Sequence, residues 1–173
     1  MKRIKNLLLV LILIVITGCT DMVSSPTKRV ENFLGKYQKL DDEVLSQLDI
    51  MLDKDANYSS ENKEECKALL IKQYQNLSYK ITDERVEDGS AEVDVEIEVY
   101  DYKDSIEKAK EYYRTHKEEL KDKTLVDYQI SKMKDVTEKS TYTITFYLTK
   151  DADNNWTLEN ITDEDRQKIH GLY

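Results

Sequence analysis

The chain has 173 residues, of which 39% are hydrophobic and 35% charged, and its formal net charge is −9. A surface this acidic repels phosphate backbones and anionic headgroups, which excludes nucleic acid as a partner and leaves solubility or a cationic partner. With four glycines and two cysteines, the chain offers neither a glycine-rich phosphate loop nor a disulfide scaffold.

At the N-terminus Lys2, Arg3 and Lys5 precede an unbroken apolar run from Leu7 to Ile16. A membrane-spanning helix needs about 20 apolar residues, whereas the apolar region of a signal peptide needs only about 7–15. The run is of the second kind. Ile16-Thr17-Gly18-Cys19 then resembles the bacterial lipobox: a branched apolar residue, two small residues that let a peptidase close on the bond, and a cysteine whose thiolate takes the lipid. The resemblance implies cleavage before Cys19, a diacylglycerol on its sulfur, and anchoring at the extracytoplasmic face of the cell membrane. Two acyl chains suffice for stable anchoring where one does not. The alternatives are an ordinary signal peptide with a chance cysteine, or a buried N-terminal helix.

The chain so read divides into a signal peptide (1–18), a lipidated tether (19–25) and a single domain (26–173). Removing residues 1–18 takes away three cations and no acid, so the formal charge moves from −9 to −12. With Cys19 committed to lipid, Cys66 has no intrachain disulfide partner. It lies at helical spacing with Leu69, Leu70, Tyr74 and Leu77, the position of a buried thiol.

Order begins at Ser25, an N-cap followed by Pro26 at the first helical position, with Val30, Phe33, Leu34 and Tyr37 on one face. A second helix carries Val44, Leu45, Leu48, Met51 and Leu52. A third opens at Ser59 or Ser60 and carries Cys66, Leu69, Leu70 and Tyr74.

The apolar period then changes from about 3.6 to 2. Tyr79–Val86 and Ala91–Tyr100 read as a hairpin turned at Asp88-Gly89. Ala91, Val93, Val95, Ile97 and Val99 share its core face, and Glu92, Asp94, Glu96 and Glu98 form a solvated ladder on the other. A two-residue loop would set Ile81 opposite Glu96. A three-residue loop, Asp88 to Ser90, sets Ile81 opposite Ile97, Tyr79 opposite Val99 and Lys80 opposite Glu98, and is the expectation. It also turns Asp83 and Arg85 onto the face of Val93 and Val95.

A helix with a capping box at Asp104 and Glu107 follows, carrying Ile106, Ala109, Tyr113, His116 and Leu120. Another opens at Thr124 with Asp127 and carries Val126, Ile130, Met133 and Val136, against an extended alternative through Val126, Tyr128 and Ile130. Thr141–Thr149 alternates cleanly as a strand, Asp151–Asn155 turns it, and Trp156 and Leu158, with Ile161, return. Thr162-Asp163-Glu164-Asp165 caps a last helix that stops at Gly171. These elements predict an α+β domain, with N-terminal helices packed on an antiparallel sheet of at least four strands built from two hairpins.

The Val30-Glu31-Asn32-Phe33-Leu34 helix, the two hairpins and the ending Asn155-Trp156-Thr157-Leu158-Glu159-Asn160-Ile161 resemble small bacterial lipoproteins with a cystatin-like or nuclear-transport-factor-like fold. The resemblance implies a sheet curled into a cone that can hold a pocket. It carries no catalytic residues over to this chain.

No HExxH, CxxC or GxSxG is present, and no cofactor or metal is expected. His116 reads as a half-buried core residue and His170 as a cation at a frayed helix C-terminus, so no histidine triad or metal site is expected. The acidic ladder does not converge, and Asp151–Asn155 lacks the glycine of a calcium loop. Asp83 and Arg85 remain as the candidate ligand-binding pair, their plain alternative being a salt bridge at the sheet's end. The expected function is non-enzymatic binding of a protein or small molecule at the outer membrane face. A cone-fold hydrolase or isomerase using Asp83 and tyrosines is one alternative, and a structural spacer or assembly component is another.

Overall fold

The computed structural model describes residues 25–54 and 56–173, so Cys19 and the residues Ile16, Thr17 and Gly18 before it lie outside the described part. Three helices come first: α1 (Pro26–Lys39), α2 (Asp42–Asp53) and α3 (Ser60–Gln75). Each begins where a short polar side chain can satisfy the free N–H groups of a first turn. Ser25 accepts from the Lys28 N–H, Asp41 from Glu43, and Ser59 exchanges bonds with Asn62 in a capping box. The strands β1 (Ser78–Glu87) and β2 (Ser90–Tyr100) follow, then α4 (Tyr102–Thr115), α5 (Leu125–Met133), β3 (Lys139–Lys150), β4 (Trp156–Leu158) and α6 (Asp163–His170). The strands form one antiparallel sheet in the order β1-β2-β3-β4. The domain is α+β, as the periodicities predict.

The core sits between the sheet and α1, α3 and α6. Val93, Val95, Ile97 and Val99 of β2 are fully buried and merge into one cluster with Val30, Leu34, Leu70, Tyr74 and Ile169 from those helices. Each such aliphatic side chain contributes roughly 1.5–3 kcal/mol by leaving water. On the opposite face Glu92 and Asp94 are half-buried, and Glu96 and Glu98 are exposed.

The first hairpin departs from the expected register. Glu87 pairs with Ser90, so the loop has two residues, with Asp88 at φ 39° and Gly89 at φ 84°, the positive-φ pair that a twisted two-residue turn needs. Ile81 nevertheless faces Val95, Tyr79 faces Ile97 and Lys80 faces Glu96. An irregularity at Thr82, between Ile81 and Asp83, shifts the ladder by one residue. Apolar opposes apolar because the strand bulges, not because the turn lengthens. On the turn side of the bulge, Asp83 stands opposite Asp94 and Arg85 opposite Glu92, so both lie on the outer face and not with Val93 and Val95. Glu84 takes the inner direction and accepts from the Thr27 N–H at 2.9 Å, in the first turn of α1, where a carboxylate favours the helix dipole.

Two further boundaries differ from expectation. α4 starts at Tyr102 with Asp101 as its cap, not at Asp104, because burying the Tyr102 ring and bonding its hydroxyl to the Leu69 carbonyl at 3.1 Å draws the helix start to the strand end. It ends at Thr115, which leaves His116 exposed and not in the core. β4 is three residues long and Ile161 is not part of it. α5 opens at Thr124 with Asp127 as its reciprocal partner, so the extended alternative does not form.

The C-terminus is firmly docked. Gly171 ends α6 at φ 70°, its carbonyl accepts from the Lys103 N–H at 2.9 Å, and a Cβ there would sit 2.2 Å from the Tyr100 carbonyl oxygen. The fully buried Gln73 of α3 ties the same region together, accepting from the Tyr100 N–H at 2.9 Å and donating to the Ile169 carbonyl at 3.3 Å.

Candidate functional site, a cavity between four helices

A cavity of about 510 Å³ opens between α1, α2, α3 and α6. Its apolar wall comes from α2, whose spacing turns Val44, Leu48 and Met51 the same way. Tyr37 of α1 and Tyr74 of α3 form a second wall, their rings edge to face with centroids 5.1 Å apart. Arg166 and His170, four residues apart on α6 and therefore on one helix face, complete it. Lys54 and Asp163 stand at the rim. The size lies within the usual range for small-molecule sites, which are mostly apolar with a few converging polar groups.

The polar groups here are electrostatically unusual. His170 is 9% exposed, and its Nδ1 lies 2.9 Å from the Tyr74 hydroxyl. Burial, with the Arg166 charge adding to it, pushes the imidazole down to about 4, so it is neutral at ordinary pH. This replaces the expected cation at a frayed helix end, since α6 packs its last turn against the core. Burial likewise raises the Tyr74 phenol, with Tyr37 contributing, and raises Tyr37 itself.

The sequence-predicted pair lies elsewhere. Arg85 binds Glu92 and Asp94 at 2.8 Å each, and pairs with Asp83 beside it on β1. Asp94 also accepts from Thr145 at 2.7 Å, and Arg85 first, then Thr145, hold its carboxyl below the usual range. Asp83 and Arg85 thus come together, but on the outward face and in a salt-bridge cluster. Further along the ladder, Glu98 is bound by Lys139 at 2.8 Å. In the Asp151–Asn155 turn, Asp151 accepts from the N–H groups of Asp153 and Asn155, both at 2.9 Å, which satisfies it as a turn residue. Cys66 is buried at 4% exposure. Among the described residues no group of three histidine, cysteine or acidic side chains is placed to hold a metal.

The cavity residues were each legible only as core positions or helix ends. No spacing rule links Tyr37, Tyr74 and His170, which come from three separate helices.

No family model and no curated protein matches the chain. Among solved structures it is similar to the crystal structure of a candidate lipoprotein from Bacillus subtilis, at 16% identity and a TM-score of 0.35. That likeness covers 86% of this chain and 47% of the other, so this chain spans about half its length.

Proposed function

We propose that the chain is a lipid-anchored bacterial lipoprotein whose domain binds a small molecule at the extracytoplasmic face of the membrane without transforming it. The anchor rests on the cationic start, the short apolar run and the Ile16-Thr17-Gly18-Cys19 sequence. No helix among the described residues is long and apolar enough to cross a membrane. The binding role rests on the helical cavity, the one observation that carries it.

His170 gives a hydrolase or isomerase reading its best support, because it puts an imidazole in a cavity. The chemistry favours binding. A general base is effective when its pKa lies near the working pH, and burial has moved this one far below. No serine, threonine or cysteine lines the cavity beside it as a nucleophile. Asp83, the other proposed participant, is on the outward face of the sheet.

The two halves of the proposal are tested separately. Cys19→Ser should abolish labelled-palmitate incorporation and release the chain from the membrane fraction; unchanged labelling and fractionation would refute the anchor. Native mass spectrometry of the lipidated chain taken from its own membranes should show a small-molecule mass that is missing from a cavity-filling Leu48→Trp variant. Identical spectra would remove the binding role.

A further inference from the structure

The cavity is positively biased in a strongly acidic chain. Its lining holds Arg166 and Lys54 against a single carboxylate, Asp163. Asp163 is fully exposed and 3.9 Å from the Arg166 Nε, too far for a charge-assisted hydrogen bond. Among the described residues the guanidinium makes one hydrogen bond, from Nη2 to the Ile161 carbonyl at 3.4 Å, so most of its five donors are uncommitted there. Lys54 forms no ion pair among the described residues.

His170 adds a donor next to that charge. The Tyr74 hydroxyl has Nδ1 of His170 as its partner, and a buried phenol with no other acceptor among the described residues must give its proton there or leave it unsatisfied. The imidazole proton then sits on Nε2. That nitrogen has no protein partner among the described residues, yet no buried polar side-chain atom among them is left unsatisfied. Nε2 is therefore not sealed in the core and opens onto the cavity that His170 lines. Opposite these donors stands the apolar wall of Val44, Leu48 and Met51.

From this juxtaposition we infer that the cavity takes a small monocarboxylate with an apolar body, its carboxylate between Arg166 and His170 Nε2 and its body along Val44, Leu48 and Met51. The inference rests on the reading of the cavity as a binding site and names its ligand class. A neutral ligand would leave most of the guanidinium's donors to water, and a cation would be repelled by it. A carboxylate matches the planar fork, with the imidazole N–H as an added donor.

The test uses the full lipidated chain in phosphatidylcholine nanodiscs, with empty nanodiscs as reference, titrated calorimetrically with octanoate and with octanol. Octanoate should bind more tightly than octanol. Arg166→Gln should weaken octanoate about tenfold or more, the effect of losing a charge-assisted bond, and leave octanol unchanged. Arg166→Lys, which keeps the charge and loses the fork, should fall between, and guards against a folding defect in the first variant. Equal binding of the two probes, or octanoate binding indifferent to both variants, overturns the carboxylate assignment while the cavity stands as a binding site. Binding of neither probe above empty nanodiscs overturns the binding site itself.

Discussion

Arg85 shows how one residue's surroundings follow from the length of the turn beside it. Ile81-Thr82-Asp83 has the composition of a regular strand, and nothing in it marks Thr82 as the residue where the ladder slips. The two-residue turn sets Arg85 opposite Glu92 and within reach of Asp94, and the slip at Thr82 lets Ile81 face Val95 while Asp83 and Arg85 stay in a solvent-facing cluster. Exposed ion pairs contribute little to stability, because water already solvates both charges well. Arg85→Gln should therefore raise the Asp94 titration midpoint toward the ordinary carboxylate range, followed by carboxyl carbon NMR. The urea midpoint at neutral pH should hardly move. A large loss of stability would show that the cluster holds the hairpin register.

At the scale of elements, local chemistry set most of the boundaries. Ser25-Pro26, Ser59, Thr124-Asp127 and Thr162-Asp165 each cap the helix that their sequences announce, because a cap is satisfied within one turn. α4 is the exception, since its start depends on burying Tyr102, a contact that lies far away in the chain. The docking of α6 is of the same long-range kind. Gly171 is required there twice, once by its positive φ and once by the Tyr100 carbonyl lying where a side chain would be. Gly171→Ala should cost roughly 2–4 kcal/mol in urea unfolding, from backbone strain plus overpacking. Gly89→Ala has a similar φ but no neighbour within 4 Å, and should cost only about 1 kcal/mol. Equal losses at the two sites would mean that the close packing at Tyr100 is unimportant.

For the molecule as a whole, His170 couples the fold to pH. Its pKa is about 4 in the folded protein and near 6.5 when unfolded, so the unfolded chain takes the proton first on acidification. This contribution to stability is complete above about pH 6.5 and is lost as pH falls toward 4, with a total on the order of 3 kcal/mol. Tyr74 from α3 contacts the ring, Tyr37 from α1 lines the same cavity, and Arg166 from α6 itself opposes its protonation. Urea midpoints at pH 7 and pH 4.5 should therefore converge more closely in His170→Gln than in the parent chain. An unchanged pH dependence would show that the ring is not buried neutral.

Helix and strand identity and the buried face of β2 are readable from residues within a few positions of one another, as is the resemblance of Ile16-Thr17-Gly18-Cys19 to a lipobox. Each depends on periodicity, capping or motif spacing, and these are short-range properties. The bulge at Thr82, the entry point of α4 and the cavity are not of that kind. Tyr37, Leu48, Tyr74 and His170 become neighbours only when four helices close over the sheet. Their closure strips water from His170 and leaves it neutral, with an adjacent guanidinium largely free to meet a ligand. Burial and long-range proximity created that chemistry, and both exist only in the folded chain.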